Sequence, residues 1–275
     1  MDVVGMGKAG CAIAEALSEY PQYKTYKIDT GLEGKRCFNF PTFDHPEDYE
    51  SSNPKMKTFF RGIKGEVVFI VSGGAKIAGA SLAVLEHLKH CDINVLYIQP
   101  NCNTLEDIKV KMHNVCLGVF QEYARSGVFE RLILVDNDVV ENILGEVPII
   151  GYYEKLNELI IWVFHMLNVL KNSEPVMGKI NKTKTTSRIT TLGTVDFESG
   201  EEKMFFSLDK IREKGYFYNI RKEDLASDGT LLKKITEQVK NLEIEDAKSS
   251  FAIYSSEYNQ NYVFCMTHTP YIQRG

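Results

Sequence analysis

Short apolar runs recur along the first half of the chain: Val3-Val4, Thr25 to Ile28, Val67 to Val71, Val95 to Ile98 and Leu132 to Val135. They are rich in Val and Ile on consecutive residues and are followed by turn or helix signals, which predicts strands buried on both faces, as in a parallel sheet. Between them, Gly10 to Leu17 and Ala80 to Leu88 place small and apolar residues at helical spacing. A third helix, Leu105 to Ala124, is predicted to bury a face made of Ile108, Met112, Val115 and Val119. Alternating strands and helices give a doubly wound α/β domain over residues 1–150.

Gly151 to Asn172 is apolar on every side, from Leu156 through Leu170, so this helix must be covered all round. Its first two turns, with Tyr153, Glu154, Asn157 and Glu158, are more polar, and that end is expected to open into a site. Lys179 to Thr191 is basic and Thr-rich and reads as a solvated linker. A strand at Tyr216 to Ile220, a helix at Leu231 to Val239 and strands at Phe251 to Tyr254 and Tyr262 to Met266 then form a small α+β unit. The predicted organisation is residues 1–150, a central helix over 151–172, and a C-terminal domain over 173–275 that begins with the basic linker. No acidic or partner-binding tail is expected after the last strand.

Composition narrows the function classes. Charged residues make up 25% of the 275 and hydrophobic ones 44%, the proportions of an ordinary globular protein. With 37 acidic against 32 basic side chains and a net charge of −5, no cation excess is available for a long run of phosphates, so no nucleic-acid partner is expected. The longest nearly apolar stretch, Leu159 to Leu170, is too short for a bilayer span, so no membrane partner is expected either. The N-terminus lacks the pattern of a signal peptide. Six scattered cysteines without a Cys-x-x-Cys pair read as reduced thiols of a cytoplasmic protein, and no His or Cys motif marks a metal site.

Two glycine loops carry the candidate chemistry. Gly5-Met6-Gly7-Lys8-Ala9-Gly10 follows the first strand and opens the first helix, where free N–H groups and the helix dipole favour a phosphate. Asp29 closes the second strand about 20 residues later, as in a dinucleotide-binding fingerprint, where an acid holds a ribose hydroxyl. A second loop, Ser72-Gly73-Gly74-Ala75-Lys76-Ile77-Ala78-Gly79, again joins a strand to a helix. Two such loops on neighbouring parallel strands would face one phosphate chain from two sides.

These residues resemble the tubulin/FtsZ superfamily of GTP-binding cytoskeletal proteins. Gly7, Lys8, Gly10 and Cys11 resemble the family's first glycine loop; Gly73, Gly74, Lys76 and Gly79 stand at its phosphate loop, G-G-G-T-G-[ST]-G. Leu132 to Asp138 resembles the strand whose end carries an Asn, here Asn137, next to the nucleoside. Gly151 to Leu170 is similar to the long central helix, with Tyr153 where an aromatic ring stacks on guanine and Asn157 where an Asn bonds the base. Gly193-Thr194-Val195-Asp196-Phe197 resembles the N-x-D-F loop that reaches the neighbouring subunit's GTP, making Asp196 the candidate catalytic acid. The resemblance, which covers about residues 2 to 200, implies GTP or GDP as the bound nucleotide with Mg2+ as its companion ion, and a head-to-tail homopolymer of this chain.

The pattern also departs from the family. Ala75 and Ile77 replace glycines of the phosphate loop, Lys76 and Ala78 replace its hydroxyl-bearing residues, and Thr194 and Ser199 replace polar residues of the catalytic loop. An Ile where backbone must approach a phosphate is a steric obstacle, and Lys76 could offset it as a point charge. Three readings therefore stand: a filament-forming guanine-nucleotide-binding protein with hydrolysis left open, a nucleotide-free scaffold or capping relative, and an NAD-dependent oxidoreductase built on Gly5, Gly7, Gly10 and Asp29.

Overall fold

Strand β1 (Asp2–Met6) runs straight into helix α1 (Gly7–Leu17), and strand β2 (Lys24–Asp29) returns beside it in parallel. The computed structural model describes residues 1–272; the stop at Gly275 lies outside the described residues. Two units are distinguished, Met1–Asn157 and Glu158–Gly275.

In the first unit the remaining strands are β3 (Cys37–Asn39), β4 (Glu66–Ser72), β5 (Asp92–Gln99) and β6 (Arg131–Asp136). They pair in parallel in the order β3-β2-β1-β4-β5-β6. All five predicted apolar runs are strands, and Val67–Val71 and Ile93–Ile98 are buried on consecutive residues because both faces are covered. The short edge strand β3 and helix α2 (Pro46–Ser51) were not readable, since Cys37–Asn39 carries no apolar run.

Helix α3 (Ser81–Glu86) follows a 3-10 turn over Lys76–Ala80, and α4 (Asp107–Arg125) and α5 (Asn137–Leu144) flank β6. Helix α4 corrects the predicted face. Its buried residues are His113, Leu117, Phe120 and Ala124, whereas Ile108 and Val115 are exposed. The helix carries two apolar stripes, and the one holding His113 faces the sheet because His113 Nδ1 is 2.8 Å from the hydroxyl of Tyr97, a buried residue of β5. Ile108, Met112, Val115 and Val119 line a cavity of about 290 Å3 instead, together with Ala78 and Cys116.

Helix α6 (Tyr152–Lys171) is the long apolar helix predicted, with Leu156, Ile160, Val163, Phe164, Leu167 and Leu170 all buried. The second unit holds β7 (Met177–Gly178), β8 (Ile189–Val195), β9 (Glu202–Met204), β10 (Glu213–Arg221), α7 (Lys222–Ser227), α8 (Leu231–Asn241), β11 (Lys248–Ser256) and β12 (Tyr262–Thr269). Its strands run β8-β12-β10-β11-β7, with β9 paired to β8. Helix α8 packs Leu231, Ile235 and Val239 on Tyr216, Tyr218 and Ile220. The predicted linker is shorter than expected, because Ile189, Thr190 and Thr191 are buried residues of β8.

Candidate functional site

The chain leaves β1 towards β2 and leaves β4 towards β5, so the connections diverge between two adjacent parallel strands. Ligands of open parallel sheets bind in the crevice at this switch point, beyond the carboxyl ends of the strands. Both predicted glycine loops are there. Gly7 begins α1 at φ +70°, and Gly74 follows β4 at φ +80°, conformations costing about 1–2 kcal/mol to a residue with a Cβ. No side chain caps α1, so the first-turn N–H groups keep their capacity for an anion.

The other glycines answer to packing. A Cβ on Gly10 would strike the carbonyl of Ile70, one on Gly73 would strike the Tyr97 hydroxyl, and one on Gly79 would stand 3.0 Å from the Pro46 carbonyl oxygen. Ile77 is buried, and its Cγ2 lies 3.2 Å from where a Gly7 Cβ would be. Lys76 turns away from its own loop: its Nζ donates to the Asp44 carbonyl at 2.7 Å. Lys8 is exposed.

Cys11 is buried, with Sγ 3.5 Å from the Gly5 carbonyl oxygen and 3.6 Å from that of Ile28. Burial pushes its thiol up to about 12, so it is a neutral packing group near physiological pH. Asp29 closes β2, and its carboxylate accepts the Thr30 N–H at 2.8 Å.

At the end of β6, Asp136 caps α5 by accepting the Asp138 N–H at 2.9 Å, and its second oxygen accepts from the Gln99 amide. Asn137, the first residue of α5, is buried, and its Oδ1 has no hydrogen-bond partner. Asp138 Oδ1 is likewise buried and unpartnered, while its other oxygen accepts from Asn103 Nδ2 at 3.3 Å. Burial, followed by the neighbouring Glu141, raises the Asp138 carboxyl above its ordinary range. An unsatisfied buried acceptor costs about 1–3 kcal/mol. Asp138 is not among the residues expected from the sequence, although the string Asp136-Asn137-Asp138 holds it beside Asn137.

Tyr152 ties the start of α6 to α5 by donating its hydroxyl to Glu141 at 2.5 Å. Its ring meets that of Tyr153 edge-on at 5.1 Å, leaving Tyr153 61% exposed. Asn157 follows one turn later, half-buried, within the same unit as both glycine loops.

Asp196 belongs to the second unit, in the hairpin between β8 and β9. Its Oδ1 accepts the Ser199 N–H at 2.7 Å, the Ser199 hydroxyl at 2.8 Å and the Glu198 N–H at 3.1 Å. The Ser199 backbone N–H, then its hydroxyl, hold this carboxyl below the usual range. Gly193 to Val195 are residues of β8, so Asp196 directly follows that strand, while α6 runs into residues 172–176.

Neither a protein-family model nor a curated protein sequence matches the chain. Solved structures do. The chain has the α/β fold of the tubulin/FtsZ class. It is similar to a GTPγS-form protofilament of TubZ from Bacillus thuringiensis serovar israelensis, at TM-score 0.75 and 15% identity, over 99% of this chain and 87% of that one. The empty FtsZ dimer of M. jannaschii gives TM-score 0.70 and 13% identity, over 98% and 87%. A type III plasmid segregation TubZ gives TM-score 0.73 and 15% identity, over 99% and 88%. At these identities the likeness concerns the fold.

Proposed function

We propose that the protein is a tubulin-like cytoskeletal protein that binds guanine nucleotide at the carboxyl edge of the first unit's sheet and assembles with copies of itself. The observation that carries this reading is the buried, unpartnered Oδ1 of Asn137 at the sheet edge that also holds the loops of Gly7 and Gly74. An amide oxygen left without a donor fits a ligand bearing N–H or O–H groups, as a nucleoside does. Tyr153, exposed, supplies a ring for stacking, and Asn157 one turn on supplies an edge contact. The similar TubZ structures include GTPγS-form and GDP-form protofilaments and helical filaments, which supports both nucleotide and self-association.

Bound GTP would supply a polyphosphate whose γ-phosphate can be cleaved. In this reading Gly7 and Gly74 approach the phosphates, and Lys8 lends an exposed cation. An accompanying Mg2+ would neutralise charge on the phosphates; among the described residues no group of three or more His, Cys, Asp or Glu suited to a metal occurs. For hydrolysis the acid comes from the second unit of a neighbouring copy: Asp196, or the exposed Glu174 in the segment that α6 runs into.

Calorimetric titration with GTP, GDP and NAD, followed by pelleting with GTP, tests the proposal. Guanine nucleotide binding weakened about tenfold in Asn137→Ala supports it; a preference for NAD, or no binding by the wild type, sinks it. The second reading, a nucleotide-free scaffold, is favoured by one observation, the Ile77 methyl against Gly7. A GTP-independent polymer would decide for that alternative.

A further inference from the structure

The basic stretch before β8 has no part in the nucleotide site, and within the second unit it walls a cavity. Residues 179–188 hold Lys179, Lys182, Lys184 and Arg188 and no acid. The whole chain carries a net charge of −5, so this concentration of cations is local and marks a place for an anion. Lys182 and Lys184 line a cavity of about 280 Å3 together with Lys248, the first residue of β11. Arg212 adds to the same face: it is exposed, its N–H donates to the His268 carbonyl, and its carbonyl accepts the Lys248 N–H, both at 2.9 Å.

The charges around this cavity favour an anion. Lys182, Lys184 and Lys248 are exposed, and among the described residues none of their ammonium groups has an ion-pair partner. Lys214, which also lines the cavity, is spent elsewhere: its Nζ donates to the two carboxylate oxygens of Glu202 at 2.9 and 2.7 Å. Glu213 is the one acid among the described lining residues, and its buried oxygens accept the Lys184 N–H at 3.1 and 3.3 Å. Glu243, Glu245 and Asp246 precede Lys248 in the chain, but none of them lines the cavity. Three ammonium groups against one carboxylate leave a surplus of two positive charges, which matches a phosphate dianion. Lysines hold phosphate oxygens as point charges, whereas the planar fork that suits a carboxylate belongs to arginine, and no arginine is among the described lining residues. Ile180 and Gly215 supply an apolar wall, and a Cβ on Gly215 would crowd the Ile180 Cγ2 methyl at 3.3 Å, so glycine keeps that wall open.

We propose that the second unit binds a small phosphate-bearing molecule, free phosphate or a phosphate ester, in the cavity lined by Lys182, Lys184 and Lys248. The lysines hold the phosphate, and the organic body of an ester lies against Ile180 and Gly215. Every lining residue belongs to the second unit, whereas both glycine loops and Asn137 belong to the first, so this site is separate from the one that takes guanine nucleotide. Its ammonium groups face solvent, so binding weakens as salt screens them. The bound molecule stabilises the fold, because the unfolded chain does not bring these lysines together.

Calorimetric titration of the full chain with inorganic phosphate, pyrophosphate and glucose 6-phosphate tests it. At least one of the three should bind, and the one bound most tightly separates free phosphate from an ester. Lys182→Ala/Lys248→Ala, at two exposed positions, should weaken that binding about tenfold or more, with the melting temperature of the ligand-free protein and its GTP titration unchanged. Lys182→Arg/Lys248→Arg, which keeps the charge, should retain it. Phosphate binding that the alanine variant keeps would belong to the glycine loops of the first unit and would overturn the proposal. So would a wild type that binds none of the three, or one that binds a hexaglutamate peptide more tightly than every phosphate. A protein that binds phosphate by these criteria but no guanine nucleotide would overturn the nucleotide reading and leave this site standing.

Discussion

Ile77 packs its Cγ2 methyl against Gly7, 3.2 Å from where a Cβ would stand, and so joins the two glycine loops through a side chain. The phosphate-loop position that the resemblance assigns to glycine is thus occupied by a buried aliphatic group. Ile77→Ala should destabilise the apo protein by about 2–5 kcal/mol, the usual cost of such a truncation. In the same variant, GTP affinity measured by calorimetry should rise severalfold, because the methyl no longer stands beside Gly7. Unchanged or weaker binding by a folded variant would show that Ile77 does not obstruct the phosphates.

Asn137 should behave in the opposite manner. Its Oδ1 is already without a partner, so Asn137→Ala removes an unsatisfied acceptor and should leave thermal stability level or higher. Guanine nucleotide affinity should fall about tenfold, the value of one hydrogen bond to a ligand. A residue held only for folding would lose stability first and affinity only as a consequence.

Asp138 gives a pH-dependent prediction. Burial raises its carboxyl in the folded protein, so the unfolded chain ionises it first, near its ordinary value of about 3.9. Stability from this group is fully present below that value and is lost as pH rises through the folded pKa. Asp138→Asn should therefore melt higher than wild type at pH 7, with the difference closing below about pH 4. Equal gains at both pH values would point to packing.

Hydrolysis, where it accompanies binding, separates two acids. The Asp196 carboxylate is committed to Ser199 and Glu198 within its hairpin, whereas Glu174 is exposed in the segment that follows α6. Glu174→Gln should reduce GTP turnover at least tenfold with assembly retained, and Asp196→Asn should affect turnover less. The reverse order, from phosphate release under assembling conditions, would return the role to Asp196.

Much of the first unit was legible because its signals are local. Consecutive Val and Ile residues commit a segment to a strand covered on both faces, and a glycine directly after it sets the turn into the next helix. Helix α6 was readable for the same reason: an apolar residue at nearly every position leaves one kind of environment. The edge strand β3 had no such pattern, and the Thr190–Thr191 pair looked like linker because pairing of β8 with β12, far along the chain, is what buries it.

By itself, the sequence determined the parallel α/β plan, the two glycine loops and the central helix, since each follows from the conformational and burial demands of neighbouring residues. Tertiary structure alone decided which stripe of α4 meets the sheet, through the Tyr97–His113 contact. It also decided that Ile77 lies on Gly7, that Asn137 keeps a buried acceptor, that Asp196 spends its carboxylate on Ser199, and that Ile149 and Ile150 stand in water. These outcomes depend on which distant side chains compete for the same space and the same hydrogen bonds, and no local pattern encodes that competition.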